Sequence, residues 1–250
     1  ITEPQRSFCN TTCNCKRHVS SFLKELIELS HKNGTLVIFD EMITGFKIDF
    51  PGAMTKYNLT PDMATWGKGI ANGFSFSALT GKKSVMELGG IKNREGKKKV
   101  FLVSTTHGAE THSLSAGIKT IKIFRKKKIV KHNQRIGKLL IKKSQNIINK
   151  LKIGKYIEVV KCPWMVIFNF YDQNEELSLG YKTLAMQEMI KNGVLFQGFF
   201  IPCYSHSGKD VDFFAKAFSK SLKVYIKALK NGLNSYLVGR PIKPVFRKII

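Results

Sequence analysis

Two short stretches of the sequence carry side chains that could act together in covalent chemistry. The first, Leu36-Val-Ile-Phe-Asp-Glu-Met-Ile-Thr-Gly-Phe46, places the carboxylate of Asp40 directly after an apolar run. The second places Lys68 between Gly67 and Gly69, on a turn that another molecule could approach closely. An amine can form a Schiff base with an aldehyde, and a nearby carboxylate can stabilise a positive charge. Together they suggest a cofactor site.

A third stretch offers hydroxyl groups to a phosphate. Thr105 and Thr106 lie in a polar loop, 104–108, that follows a predicted strand. An amine, a carboxylate and a phosphate-binding loop are what pyridoxal phosphate (PLP) needs, because the carboxylate keeps the pyridine nitrogen protonated and the ring then accepts electrons. Each feature alone also fits an ordinary surface turn, strand end or loop. The spacing therefore leaves the structural and the cofactor interpretations both open.

The elements around these residues predict an α/β fold. A helix opened by Ser20 or Ser21 and ended at Asn33-Gly34 precedes an unbroken apolar strand at 36–39. Such a run after a helix is typical of a mostly parallel sheet covered on both faces. Asp40 then lies at the carboxyl end of a strand, where open α/β sheets bind ligands. Further strands are predicted at 62–66, 74–79 and 100–103.

The second half of the chain predicts a separate, smaller α/β domain. One long helical region is expected from about residue 113 to 151, strands at 165–170 and 194–196, and helices at 181–190 and up to Asn231-Gly232. We place the boundary near residue 125. This gives a domain of residues 1–125, the C-terminal half of a large cofactor-binding domain, and a domain of residues 126–250.

The charge of the chain is extreme, with 42 basic against 17 acidic residues and a net charge of +25. Between Lys119 and Lys161 there are fifteen Lys or Arg residues and a single acid, Glu158. The alternative to an enzyme is therefore a non-catalytic basic module that binds nucleic acid or an anionic surface through this segment. Few aromatic residues interrupt the lysines, however, and apolar residues recur there at helical spacing, which favours the solvated face of an amphipathic helix. They are Ile136, Leu140, Ile147 and Leu151.

Other classes of protein are not indicated. No run approaches eighteen apolar residues and no secretory leader is visible, so we expect no membrane contact and a cytoplasmic location. The five cysteines form no disulfide framework. Cys9, Cys13 and Cys15 lack the second pair that a structural zinc site requires, and we expect free thiols and no metal.

The residues of several motifs resemble those of the class III aminotransferases, particularly the branch that contains glutamate-1-semialdehyde aminomutase. The resemblance runs from Glu3-Pro4 to Gly239-Arg-Pro241. It implies fold type I of the PLP enzymes, a homodimer with active sites at its interface, and amino-group transfer or migration on a small amino, aldehyde or keto substrate. The motifs are residues 36–46, Thr60-Pro-Asp62, Gly67-Lys-Gly69, Gly81 and Ser104-Thr-Thr-His-Gly-Ala-Glu-Thr111.

The resemblance also implies a role for individual residues. Asp40 matches the partner of the pyridinium nitrogen, and Met42 matches a side chain that packs on the ring face, where most relatives have valine. Lys68 matches the Schiff-base lysine, whose freed amine then acts as general base. Thr106 matches the threonine that reaches the partner subunit's cofactor phosphate, and Lys47 stands where relatives usually have arginine.

Parts of the family's site have no counterpart in this sequence. Residues 5–8 offer no clear equivalent of the Asn or Gln that relatives direct at the phenolic oxygen of the cofactor. The family's glycine- and serine-rich phosphate loop and its ring-stacking aromatic residue would precede residue 1. The resemblance therefore predicts the C-terminal part of an enzyme and leaves open whether this chain is active alone. Nothing in the residues separates an aminotransferase from an aminomutase.

Overall fold

The structure is a computed structural model, and it describes residues 1–4, 15–89 and 108–243. Side chains of residues 15–18 lie outside this description. The chain divides into two compact units, Ile1–Val130 and Lys131–Ile250, a few residues beyond the predicted boundary. Among the described residues, no helix is both long and apolar enough to cross a membrane.

The first unit contains a three-stranded sheet of order β1-β2-β3. Strand β1 pairs with β2 in parallel, and β2 pairs with β3 in antiparallel orientation, so one of the two described pairs is parallel. Single turns of 3-10 helix follow β2 at Lys68–Ile70 and α3 at Glu87–Gly89. The elements are α1 (Cys15–Lys32), β1 (Ile38–Asp40), α2 (Ala53–Tyr57), β2 (Met63–Trp66), β3 (Ala78–Gly81), α3 (Lys83–Met86) and α4 (Thr111–Lys126).

Three described elements of the first unit differ from the predicted pattern, and the first is β1, which was predicted at 36–39 and is found at Ile38–Asp40. Helix α1 begins at Cys15 rather than at the predicted serine caps, although it ends as expected, with Gly34 at a φ of 66°. The strand predicted at 74–79 is found at Ala78–Gly81, because Asn72 and Gly73 form a turn at positive φ before the chain returns to the sheet. The predicted strand at 100–103 lies outside the described residues.

The second unit packs helices against a second, antiparallel sheet of order β4-β5-β6. The predicted single helix is two helices, since Lys127 is extended and ends α4 before α5 begins. The strand predicted at 194–196 is found at Phe199–Phe200, and β4 was not predicted. The elements are α5 (Ile129–Leu151), β4 (Ile157–Val160), β5 (Val166–Phe170), α6 (Leu179–Lys191), β6 (Phe199–Phe200) and α7 (Gly208–Asn231).

The lysine-rich helix α5 is amphipathic, as predicted. Ile136 and Leu140 are buried in the core of the second unit, and Ile147 and Leu151 pack against it. The basic residues of α5 lie mainly on its exposed face, where solvent screens their charges. The amphipathic packing of α5 thus accounts for six of the fifteen basic residues between Lys119 and Lys161.

Candidate active site

Asp40 and Lys68 both lie at the carboxyl edge of the sheet, at or just after the ends of β1 and β2. Asp40 is the last residue of β1 and pairs with Thr65 of the parallel strand β2. Strand β2 ends one residue later, and Lys68 begins the 3-10 turn that follows. Because parallel neighbours end at the same edge, the sheet brings the two predicted residues together, as their positions in the sequence suggested.

The carboxylate of Asp40 is held in a fixed orientation. Its Oδ1 accepts a hydrogen bond of 3.0 Å from the hydroxyl of Thr65 and another of 3.0 Å from the backbone amide of Met42. The backbone amide of Asp40 donates to the carbonyl of Thr2 at 2.8 Å. Asp40 is half-buried, so its carboxylate can reach a group at the sheet edge while its own bonds keep it from rotating.

Lys68 has an unusual backbone conformation. Its φ is 49°, in the left-handed region that side chains other than glycine rarely adopt, whereas Gly67 before it is extended at a φ of −170°. The lysine side chain is exposed. The turn predicted from the two glycines is present, but the residue in the strained conformation is the lysine.

The end of the Met42 side chain occupies the space beside Gly67. A Cβ atom at position 67 would lie 2.3 Å from Cε and 2.7 Å from Sδ of Met42, so a larger residue there would displace the methionine side chain. At Gly69 a Cβ would lie at 3.5 Å from Cβ of Phe46, an ordinary contact. The structure therefore places Met42 directly against the turn that carries Lys68.

A second amine lies near Lys68. Burial, and after it the positive charge of Lys68, lowers the pKa of Lys47. The Nζ atom of Lys47 donates to the carbonyl of Ile43 at 3.0 Å. In the sequence Lys47 stood out only as a lysine in place of the family's arginine, and its closeness to Lys68 depends on the fold of the loop between β1 and α2.

Glu41 does not stand out in the sequence, yet it is the most deeply buried acid among the described residues of the first unit, with 1% of its surface exposed. The hydroxyl of Thr44 donates to its Oε2, and the amide of Met54 donates to its Oε1 at 3.2 Å. Burial raises the pKa of Glu41 although these hydrogen bonds oppose the change. A carboxylate placed next to Asp40 at the end of an apolar strand was the signal that could have identified it.

Asp62, in the motif Thr60-Pro-Asp62, connects several segments at the end of the sheet opposite to Asp40 and Lys68. Its carboxylate accepts from the amide of Val37 at 2.7 Å, contacts Nε2 of His31 at 2.8 Å and pairs with Nζ of Lys82 at 2.7 Å. Burial favours the neutral acid, but the bonds from Lys82, Val37 and His31 outweigh it and hold the pKa of Asp62 well below its usual range. Asp62 therefore joins α1, β1 and the residue after β3.

Some predicted residues lie outside the described part of the chain. Thr106 and its neighbour Thr105 are among them, as are Cys9 and Cys13, and the side chain of Cys15 is not described. Among the described residues, no group of three or more His, Cys, Asp or Glu side chains could hold a metal ion.

Comparison with known protein families assigns the chain. The model of the family described as aminotransferase class-III matches residues 15–206. The chain belongs to this family. The match includes Asp40, Met42, Lys68 and Thr106 and extends well into the second unit, so the predicted resemblance is confirmed.

Curated relatives include both kinds of enzyme that the sequence left open. A 3-aminobutyryl-CoA aminotransferase of Cloacimonas acidaminovorans is 28% identical over 210 residues, which are 83% of this chain and 48% of that protein. A glutamate-1-semialdehyde 2,1-aminomutase of Thermosipho africanus is 32% identical over 233 residues, 81% of this chain and 49% of that protein. The chain spans about half the length of the curated relatives it matches.

Solved structures share the fold. The FumI protein of Sphingopyxis sp. MTA144, solved in a form that contains PLP, superposes with a TM-score of 0.74 over 85% of this chain and 48% of that protein, at 17% identity. The predicted α/β fold of PLP-dependent transaminases, fold type I, is thereby confirmed.

Proposed function

We propose that the protein acts in PLP-dependent amino-group transfer, with Lys68 as the Schiff-base lysine and Asp40 as the partner of the ring nitrogen. The observation that carries this proposal is the placement of Asp40 and Lys68 at the carboxyl edge of neighbouring parallel strands, in a chain of the class III family. Met42 would cover one face of the ring, and Thr106 would contact the phosphate.

The residues present fit this group. An oriented carboxylate and an exposed amine lie at one edge of the sheet, as PLP requires, and the polarizable thioether of Met42 lies next to the amine-bearing turn. When bound, PLP supplies an electron sink for a carbanion next to nitrogen. The bonds from Thr65 and Met42 to Oδ1 keep the Asp40 carboxylate aimed, so that it holds a proton at the ring nitrogen.

Lys68 has two tasks in the proposed reaction. Its amine would hold the cofactor by condensing with the aldehyde, with loss of water, and once a substrate amine had displaced it, it would carry a proton to and from the reacting carbon. Both tasks require an amine that reaches the ring, and the exposed side chain on a held turn provides one. Lys47, the neighbouring cation, adds positive charge close to where the anionic cofactor would bind.

The test is selective labelling of Lys68. The purified protein is mixed with PLP below one equivalent, reduced with borohydride and mapped by peptide mass spectrometry. Lys68 should carry most of the label, and Lys68→Ala should remove it. The control Lys83→Ala, which changes an exposed lysine of the same unit, should leave the label in place. Label distributed evenly over the surface lysines, or concentrated at Lys47, would overturn the assignment.

The substrate is proposed only as a class, a small amine with an aldehyde or keto partner. An aminomutase would convert glutamate-1-semialdehyde alone, whereas an aminotransferase would need an amino donor and a keto acid together. Assaying both reactions in parallel separates them. The same proposal includes a homodimer and a cytoplasmic location, which sedimentation and localisation of a tagged protein would test.

A further inference from the structure

The loop of residues 41–54, which joins β1 to α2 and includes the first two residues of that helix, is folded around one buried carboxylate. The side chain of Glu41 turns back into the loop, where Thr44 and the amide of Met54 donate to its two oxygens. Gly52 lies so close that a Cβ there would be 2.5 Å from Oε2 of Glu41. The carboxylate therefore fills the space in the loop that a larger residue at position 52 would need.

Glu41 also provides the hydrogen-bond acceptor that α2 lacks. The residue before this helix is Gly52, which has no side chain to accept from the first-turn amides. The amides of Ala53 and Met54 donate to the Glu41 carboxylate instead, and a negative charge is favourable at a helix N-terminus. Loss of this carboxylate would remove the hydrogen bonds that connect the start of the loop, at Glu41, to its end, at Ala53 and Met54.

The backbone of Glu41 connects the same loop to the sheet. Its amide donates to the carbonyl of Thr65 at 3.0 Å, which extends the β1-β2 ladder beyond Asp40. Its carbonyl accepts from Gly45 at 2.9 Å, and a Cβ at Gly45 would lie 2.7 Å from that oxygen. Glu41 thus binds β2 through its main chain and α2 through its side chain.

Two residues of the loop lie next to the glycines that flank Lys68. Met42 packs against Gly67, and Cβ of Phe46 lies 3.5 Å from where a Cβ of Gly69 would be. Between these contacts Lys68 is held at a φ of 49°. A conformation of this kind costs free energy and persists only where neighbouring groups impose it.

We infer that Glu41 is a positioning residue for Lys68: its carboxylate holds the loop 41–54 so that Met42 and Phe46 fix the turn 67–69 and the amine it presents. Glu41 acts through the loop and is not required to touch substrate or cofactor. The role of the Lys68 amine rests on the proposed function. The effect of Glu41 on the loop and on the turn 67–69 does not depend on it. The side chain of Glu41 joins Thr44 to α2, and its main chain joins the same loop to β2.

The experiment compares Glu41→Gln and Glu41→Ala with the control Glu28→Gln, an exposed glutamate on α1. Hydrogen–deuterium exchange of the amides at 45–48 and 68–70 reports whether the loop and the turn are held. The rate of borohydride-trapped PLP labelling at Lys68 reports whether the amine is in place. Fluorescence of Trp66, in a background with Trp164→Phe, gives the folded fraction of the first unit, by which each rate is divided.

We expect both amide groups to exchange faster in the two Glu41 variants and the labelling rate per folded molecule to fall by about 100-fold in Glu41→Ala, since small displacements of a reacting group have effects of this size. Glu41→Gln preserves the volume and one acceptor, so its rate should fall less. Glu28→Gln should match the natural protein. A purely structural role would lower the folded fraction and leave the corrected rate unchanged.

The outcomes separate the two proposals. Wild-type rates and wild-type exchange in Glu41→Gln and Glu41→Ala would overturn the positioning role. If the natural protein itself shows no preference for Lys68, the proposed function fails, and exchange at 68–70 alone then decides whether Glu41 holds the turn. If Glu41→Ala does not fold, Glu41→Gln provides both readouts.

Discussion

Both units bury aromatic rings, but their buried acids are bonded differently. The first buries the carboxylates of Glu41 and Asp62, and each of them joins segments that are distant in the sequence. The second buries a cluster of aromatic rings between its sheet and its helices, and its buried acid, Glu188, pairs with Lys191 only one turn away on the same helix. The rings are those of Phe168, Phe170, Tyr181, Phe196, Phe214, Phe218 and Tyr225.

This difference separates stability from positioning. The stabilisation that comes from burying apolar ring area is non-directional, so an aromatic core can stabilise a fold without fixing any one loop. Hydrogen bonds to a buried carboxylate are directional, and a missing partner is costly. The first unit uses such bonds at the loop and strand ends around Asp40 and Lys68, where the candidate chemistry needs fixed geometry.

The largest effect should come from breaking the aromatic core. Phe168 lies 5.4 Å from Phe196 and 5.2 Å from Phe218, centroid to centroid, and is 1% exposed. Phe168→Ala should lower the free energy of unfolding of the second unit by about 3–5 kcal/mol. Urea unfolding followed by Trp164, with Trp66→Phe, measures it. The control is Phe213→Ala, which removes a ring that is 56% exposed. Equal effects of the two changes would contradict the prediction.

The next effect should come from Asp62. Asp62→Ala removes the acceptor of the Val37 amide, which is then buried without a partner, and it separates Lys82 from His31. We expect the first unit to lose about 2 kcal/mol. Trp66 fluorescence with Trp164→Phe measures it, and Glu87→Ala, whose partner is an exposed lysine on the adjoining turn, is the control. A loss no larger than that of the control would show that Asp62 does not join these segments.

The sequence predicted most of what local patterns determine. The turn at Lys68 and the end of α7 at Asn231 follow from glycine positions and periodicity, and both are confirmed. The strand predicted at 36–39 is present but spans Ile38–Asp40. The break at Lys127 was missed because the lysines on either side favour helix equally well.

The fine geometry of the site could not be predicted, because it depends on contacts between segments. The overlap of Met42 with the space beside Gly67 requires the register of β1 against β2. The positive φ of Lys68 requires the same packing, since lysine has no intrinsic preference for that conformation. Class III motifs identified the residues, and only the fold showed which of them is strained.

The two buried carboxylates should also differ in their dependence on pH. Because the folded protein lowers the pKa of Asp62, the unfolded chain binds more protons in acid, and this contribution to stability is lost as the pH falls below about 3.9. Because the folded protein raises the pKa of Glu41, its contribution has the opposite sign and is lost as the pH rises above about 4.3.

Asp62→Asn should therefore reduce the loss of first-unit stability as the pH falls below about 3.9. Glu41→Gln should reduce the loss of first-unit stability as the pH rises above about 4.3. Urea midpoints from Trp66 fluorescence between pH 3 and 8 would measure both. If both variants changed the slope of stability against pH in the same direction, the two carboxylates would not have pKa values shifted in opposite directions by folding.

The smallest effect should come from the strained lysine itself. Lys68→Gly and Lys68→Ala both remove the amine, so both should abolish labelling by PLP. Glycine has no Cβ and therefore adopts a φ of 49° without strain, whereas the Cβ of alanine meets the backbone. We expect Lys68→Gly to be more stable than Lys68→Ala by about 1 kcal/mol. The matched control is Lys83→Gly against Lys83→Ala, at a helical position where alanine should be the more stable. Equal stability of the two Lys68 variants would mean that the turn relaxes once the side chain is gone, and that Met42 and Phe46 do not impose its conformation.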